Sequence, residues 1–528
     1  MSKKITNLFL ILILFLAFGL RVYKIDEVPK SITWDEAAVG YNAFTIANYG
    51  KDEYGKRLPL FFKSFRDDKH PVHVYITAIS VKLLGLNEFS IRIPSAIFGT
   101  LNVLLIFLLG SILFKNKAIG LLAGFLLAIS PYNIHFSRFN HEANFVLFFF
   151  MLGLWLFFLS LEKNKKLLPF AVLSFCISFI TYHPAKIITP IIIIVLISLY
   201  VKRIKWGKNL YAITIVVFFL ITLALNPQLF GFARINQTAQ SKNEIEKTTL
   251  YQKTQSTILG RLELIINQYS WHFSPQYLFI QGDKNPRLSS QTGEFYKIDA
   301  IFLILGLIYL VTKRSRQGAI LLIWALVAPL PSALVAEAPH AARAVFMMGS
   351  WNLISALGLC ALVNFFRNKM IKWVIVMMSL VIFLISLSSY LNNYYNAFAN
   401  RYSIDWQYGM KQIVEYVKHH PEYTEVFMTN IRSQPYIFFL YYLKTPLPEY
   451  LNTVYFNNAE SKGYNNVSFF DRYYFEGWDP IESSPNKGVL YIVSPSQYDG
   501  LRYKQLFDVK EKILYPKGFD AFYIISAK

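Results

Sequence analysis

Long uncharged apolar runs recur along the chain, separated by short segments rich in lysine and arginine. Runs such as PSAIFGTLNVLLIFLLGSILF and ANFVLFFFMLGLWLFFLSL come close to the roughly 20 residues that carry a helix across about 30 Å of hydrocarbon. The pattern predicts about eleven membrane-spanning helices, near 5–20, 92–114, 118–134, 143–161, 167–182, 187–201, 210–226, 298–312, 318–335, 344–364 and 371–390. One further run, VHVYITAISVKLLGL (72–86), is short and flanked by DDKHP and NEFSIR. It reads as an interfacial helix inside a first external loop, 21–91. From 391 the pattern changes. TEVFMTN, GVLYIVSPS and FDAFYIISAK read as strands, WQYGMKQIVEYVKHH and SQPYIFFLYYL as helices. These features divide the chain into a transmembrane domain, 1–390, with a large external loop at 227–297, and a small α/β domain, 391–528.

Composition agrees: 54% of the 528 residues are hydrophobic and 17% aromatic, more than soluble domains carry. The formal charge of +21 is concentrated in alternate short loops. With the N-terminus in the cytoplasm, the inside loops hold Lys115 and Lys117; Lys163, Lys165 and Lys166; Lys202, Arg203, Lys205 and Lys208; Lys313, Arg314 and Arg316; and Arg367, Lys369 and Lys372. This positive-inside bias would be lost if 72–86 were counted as a span. The charge therefore reports orientation in a cell (plasma) membrane, not a nucleic-acid partner. The first apolar run reads as a retained span. Cys176 and Cys360 lie in apolar runs and read as buried free thiols.

Most remaining ionisable residues fall on the outer side in this topology. SITWDEAAVGYNAF places Asp35 and Glu36 beside Trp34 shortly after the first span. DDKHP adds Asp67, Asp68, Lys69 and His70; SPYNIHFSRFNHEANF adds His135, Arg138, His141 and Glu142; TYHPAK adds His183 and Lys186; AEAPHAAR adds Glu337, His340 and Arg343. Singly, Arg138, Lys186 and Arg343 read equally well as anchors snorkelling to headgroups, His135 as a packing residue, and Asp67–Asp68 as a solvated turn. Together they suit sugar transfer from a polyprenyl-phosphate donor. Cations stabilise the charge that develops on a leaving phosphate, and a carboxylate takes the proton of the attacking hydroxyl. A transporter or lipid-linked glycan flippase is the alternative. It would place ionisable groups within the spans and show related halves, and neither is evident.

WDEA after the first span, then GKDEYGKRLPLFFKSFRDDKHPVHVYITAISVKLLGLNEFSIRIPSAIFGTL, resembles the N-terminal half of family 39 glycosyltransferases, over roughly 1–230 and most sharply 33–142. These are integral membrane enzymes of the GT-C type, related to protein O-mannosyltransferases and aminoarabinose transferases. The resemblance implies a polytopic GT-C architecture and inverting transfer by direct attack of the acceptor hydroxyl. It implies Asp35 as catalytic base with Glu36 its neighbour, and Lys69 and His70 before Pro71 as contacts to donor phosphate. A second acidic position falls on Glu142, where relatives carry aspartate. His340 and Arg343 are implied to border the donor site. Arg138 joins the cations expected around the phosphate, and Trp34, His141, His183 and Lys186 are candidate substrate contacts. The expected partners are the lipid-linked donor, a protein, lipid or glycan acceptor, and membrane lipid. With no HExxH or comparable ligand spacing, no metal site is assigned; catalysis is expected without an obligatory cofactor, although some relatives hold a divalent metal. The sequons at Asn236 and Asn466 fall on the external side.

Overall fold

Each of the eleven apolar runs is helical. The computed structural model describes residues 2–65, 67–204, 210–230, 239–429, 434–457, 466–475 and 485–528, so the sequon at Asn236 lies outside the described residues. The first helices are α1 (Lys3–Val22), α2 (Trp34–Tyr49), α3 (Pro71–Leu84), α4 (Glu88–Leu113), α5 (Lys117–Ile129), α6 (Pro131–Phe136) and α7 (Glu142–Glu162). Among the described residues six helices are long and apolar enough to cross a membrane: α1, α4, α7, Arg316–Ala333, Met347–Phe365 and Lys369–Arg401. The segment at 72–86 is the helix α3, as the pattern suggested.

The described residues fall into two units, Met1–Tyr23 with Ser95–Tyr394, and Lys24–Pro94 with Tyr395–Lys528. In the first unit, Met347–Phe365 is a central helix, 67% buried, whereas Lys369–Arg401 is 17% buried and turns most of its apolar surface outward. Met347–Phe365 packs on Asp299–Lys313 backbone to backbone. A Cβ on Gly306 would lie 2.0 Å from the Ile354 carbonyl oxygen, and one on Gly358 would lie 1.8 Å from that of Phe302. Small residues at such crossings let helices approach where no hydrophobic force between them exists in lipid.

The second unit departs from the sequence-based grouping, which placed the first external loop with the spans and the C-terminal segment apart. Here Lys24–Pro94 shares a core with Tyr395–Lys528. Ala37, Ala38 and Tyr41 of α2 are buried with Tyr436, Phe439, Leu440 and Tyr441 of helix Pro435–Leu443. Gly40 explains the closeness, since a Cβ there would sit 2.6 Å from the Tyr441 ring. A hairpin of β1 (Phe62–Ser64) and β2 (Asp67–Lys69) leads into α3.

The C-terminal strands are β3 (Glu425–Met428), β4 (Tyr455–Phe456), β5 (Val467–Phe470), β6 (Tyr473–Tyr474), β7 (Val489–Val493), β8 (Phe507–Leu514) and β9 (Asp520–Ala527). They form one sheet in the order β4-β5-β6-β3-β7-β9-β8. β3 runs parallel to β6 and β7, and the outer pairings are antiparallel. β7 and β9 alternate little and are buried along most of their length, as central strands covered on both faces are. The sequon residue Asn466 immediately precedes β5 and is buried.

Candidate active site

The first turn of α2 separates the two adjacent carboxylates. Thr33 caps the helix: its hydroxyl accepts from the Glu36 amide at 3.2 Å, and Glu36 Oε2 accepts from the Thr33 amide at 3.2 Å. This reciprocal capping box satisfies two amides that the helix start would leave unpaired. Glu36 is thereby turned inward, where Arg92 of α4 meets it through Nε at 2.8 Å and Nη2 at 3.2 Å. Both side chains are fully buried. Arg92 also donates to the carbonyls of Ile25, Pro29 and Ser31, gathering the preceding loop around the helix start. The Glu36 carboxylate, expected as the neighbour of the base, is committed to a cap and a buried ion pair.

Asp35, one residue earlier and about 100° round the helix, points the other way. Its side chain is 49% exposed and pairs with Lys69, whose own side chain is only 12% exposed. The hairpin delivers that lysine, with Phe62 of β1 opposite Lys69 in register. The ammonium also lies 5.8 Å from the Phe65 ring centre, a cation–π arrangement. His70 is buried and stands at the N-cap of α3, and Pro71 occupies the first helical position, where its missing N–H costs nothing. Trp34 packs partly buried against the shared core. Asp35, Lys69 and His70 therefore come from three short elements fixed by capping, pairing and proline. The side chains of Asp67 and Asp68 lie outside the described residues.

Sequence reasoning missed one carboxyl in this unit. Glu53 is fully buried; its Oε1 accepts from Asn42 Nδ2 at 3.0 Å, while its amide donates to Asn42 Oδ1 at 3.0 Å. Asn42 lies seven residues after Asp35, two turns along the same side of α2. Burial pushes the Glu53 carboxyl up to about 8, against the opposing pull of Asn42, Lys69 and the Tyr436 hydroxyl. In the sequence it sits in KDEYGK, a hydrophilic run that carries no sign of burial.

The remaining candidates belong to the other unit. Arg138 is fully buried, with Nη1 donating to the carbonyls of Leu20 and Arg21 at 3.1 Å each and its guanidinium 5.6 Å from the Tyr394 ring centre. These contacts close off the end of α1. His141 caps α7, its Nδ1 accepting from the Ala143 amide at 3.1 Å, and Glu142 Oε2 lies 3.6 Å from the same nitrogen. His183 and Lys186 meet at 3.2 Å. His340 Nδ1 accepts from the Arg343 amide at 3.3 Å, and Arg343 Nη1 donates to the Ala336 carbonyl at 3.0 Å. An Nδ1 that accepts places the neutral ring's proton on Nε2. His135 bridges the Arg287 carbonyl and the Tyr394 hydroxyl at 3.1 and 3.3 Å, matching its reading as a packing residue. Among the described residues no three His, Cys, Asp or Glu side chains gather as a metal-holding group.

Comparison with known proteins fits this architecture. The family model described as dolichyl-phosphate-mannose-protein mannosyltransferase matches residues 68–226. The Bacillus subtilis protein named "Putative mannosyltransferase YkcB" is 28% identical over 170 residues, 31% of this chain and 22% of that one. An uncharacterized protein of Aquifex aeolicus is 26% identical over 162 residues, 29% of this chain and 32% of its own length. The matched stretch thus spans less than a third of either relative. Among solved structures, apo ArnT from Cupriavidus metallidurans superposes with a TM-score of 0.58 at 12% identity, covering 99% of this chain and 98% of its own. ArnT bound to undecaprenyl phosphate superposes equally well, with a TM-score of 0.58. The Archaeoglobus fulgidus oligosaccharyltransferase tethered to an acceptor peptide gives a TM-score of 0.53 at 14% identity, over 99% of this chain and 74% of its own. Two units, one of packed apolar helices and the other closing on a mixed sheet, together with these superpositions, give this chain the fold of the GT-C membrane glycosyltransferases.

Proposed function

We propose that the protein is an inverting membrane glycosyltransferase that moves a sugar from a polyprenyl-phosphate donor to an acceptor hydroxyl on the extracytoplasmic side of the cell membrane. The observation that carries this reading is the Asp35–Lys69 pair: a half-exposed carboxylate at a helix start, held by a largely buried ammonium. The match to a mannosyltransferase family model and the shared fold with a protein that binds undecaprenyl phosphate support the choice of donor class. The lysine-rich alternate loops support the sidedness.

In this mechanism the acceptor hydroxyl approaches Asp35, which removes its proton as the oxygen attacks the anomeric carbon. The bond from that carbon to the phosphate oxygen breaks, and its electron pair stays on the phosphate. Lys69 and His70 take up the charge that develops there; His340 and Arg343 are assigned the same phosphate-binding role. A single displacement inverts the anomeric centre, leaving the free lipid phosphate and a proton on Asp35. Glu36 acts through position, because its hold on Arg92 and on Thr33 sets where the first turn of α2 begins. Glu142, His141, His183, Lys186 and Trp34 are proposed to contact substrate. The displacement as written requires no metal.

The test is incubation of the purified protein in vesicles with radiolabelled polyprenyl-phosphate sugars and a panel of protein, lipid and glycan acceptors. Wild type is expected to form a covalent sugar product. Asp35→Asn should lose it by at least about 10²-fold, the lower range for general-base removal, with insertion unchanged. Lys69→Ala should mainly raise the donor KM. Sugar that crosses the vesicle membrane without any covalent product would assign the chain to the transporters instead.

A further inference from the structure

We infer that Asp283 and Ser332 are positioning residues for phosphate recognition, holding the turn that carries His340 and Arg343; this rests on the donor reading above. The turn at 340–343 belongs to no regular helix, yet it is gripped from three directions within its unit. The Ala341 amide donates to Asp283 Oδ2 at 2.7 Å. The His340 amide donates to Ser332 Oγ at 2.9 Å. The Ala341 carbonyl accepts from the Tyr132 hydroxyl. Consecutive backbone groups at 340 and 341 are thus fixed by an acid, a hydroxyl and a phenol from three separate segments.

Each grip is itself braced. His272 Nδ1 faces the Gln268 carbonyl at 2.8 Å, so it must carry the proton, and Nε2 at 2.7 Å then accepts from the Ser332 hydroxyl. Burial pulls the His272 imidazole down to about 4, which keeps it in this neutral acceptor form. With its single proton given to His272, Ser332 Oγ presents a lone pair to the His340 amide. Asp283 Oδ1 accepts from the Asn285 amide at 2.8 Å, which orients Oδ2 toward Ala341. The Asp283 amide donates in turn to Glu294 Oε1 at 3.2 Å. Burial raises the Asp283 carboxyl to about 6, against the pull of the Asn285 and Ala341 amides and of the Arg343 charge.

Consequently the large external loop, from His272 to Glu294, sets the backbone from which His340 Nε2 and the Arg343 guanidinium project. A phosphate ligand recognised by that pair would sense the loop without touching it. Such ordering in advance reduces the cost of binding.

The experiment measures undecaprenyl phosphate binding to the detergent-solubilised full chain, alongside steady-state transfer. Asp283→Ala and Ser332→Ala are each expected to weaken binding, and to raise the donor KM, about tenfold, with acceptor KM unchanged. The double variant Asp283→Ala/Arg343→Ala should bind less than about tenfold more weakly than Arg343→Ala alone, since only the part of the effect that runs through His340 remains and residues acting through one another do not add. Binding by Asp283→Ala at the wild-type level overturns the inference, as does a multiplicative double variant. If Asp283→Ala does not accumulate, Ser332→Ala carries the same comparison with Arg343→Ala. Failure of the wild type itself to bind undecaprenyl phosphate would instead sink the donor reading on which this rests.

Discussion

Glu53 carries a carboxyl that water does not reach. Burial raises it to about 8, above the ordinary value of 4.5, so the folded chain keeps a proton that the unfolded chain gives up over the same range. The sign follows from linkage. The stability tied to this proton is fully present below about pH 4.5 and is lost as pH rises through about 8, beyond which both states are ionised. The amount is on the order of a few kcal/mol, from the separation of the two values. Glu53→Gln keeps an oxygen for Asn42 but has no proton to lose. Its thermal midpoint should therefore gain on wild type between pH 5 and pH 9. Parallel slopes for the two proteins would mean that Glu53 is already ionised in the folded chain. Little of this was legible in the sequence, because KDEYGK looks like any hydrophilic turn. Asp35 was legible, because its neighbours and the resemblance both marked it. Glu36 looked like its equal until Arg92 was seen to occupy it.

At the scale of elements, the start of α2 depends on a buried ion pair that also serves as a cap. Removing one partner from such a pair leaves an uncompensated charge and costs about 3–5 kcal/mol, whereas losing a cap alone costs roughly 1 kcal/mol. Glu36→Ala should therefore destabilise far more than Thr33→Ala. It should also lower transfer indirectly, by releasing the turn that aims Asp35. Measuring unfolding midpoints for both variants and for Glu36→Ala/Arg92→Met separates the causes. The double variant should recover part of the stability by removing the uncompensated charge, while the capping loss and the loss of the Arg92 bonds to the Ile25, Pro29 and Ser31 carbonyls remain. If Glu36→Ala proved as mild as Thr33→Ala, the ion pair would contribute little. Sequence pattern found α4 because its apolar run has the length and period of a span, but it left α2 inside the first external loop, 21–91. It could not find what Arg92 does, since a lone arginine at the end of a span reads equally well as a headgroup anchor.

For the whole molecule, the grouping of Lys24–Pro94 with Tyr395–Lys528 changes what the C-terminal segment is for. The contact between α2 and Pro435–Leu443 joins positions about 400 residues apart, and no local periodicity encodes such a pairing. The strands β3, β7 and β9 were visible as short β-branched and aromatic runs, but the apolar helix SQPYIFFLYYL gave no sign of its partner. Its face is now accounted for: it buries Ala37, Ala38 and Tyr41. Removal of 395–528 should therefore uncover α2, even though α2 lies at the other end of the chain. In a background with Cys176 and Cys360 replaced by serine, Ala38→Cys should react slowly with a membrane-impermeant maleimide in the full chain, because position 38 is fully buried. In the truncated chain the same cysteine should react at least about tenfold faster, as expected where local opening sets access. Equal, slow labelling of both would show that the first loop keeps its own core. The C-terminal segment would then have to be explained by what it binds rather than by what it holds in place.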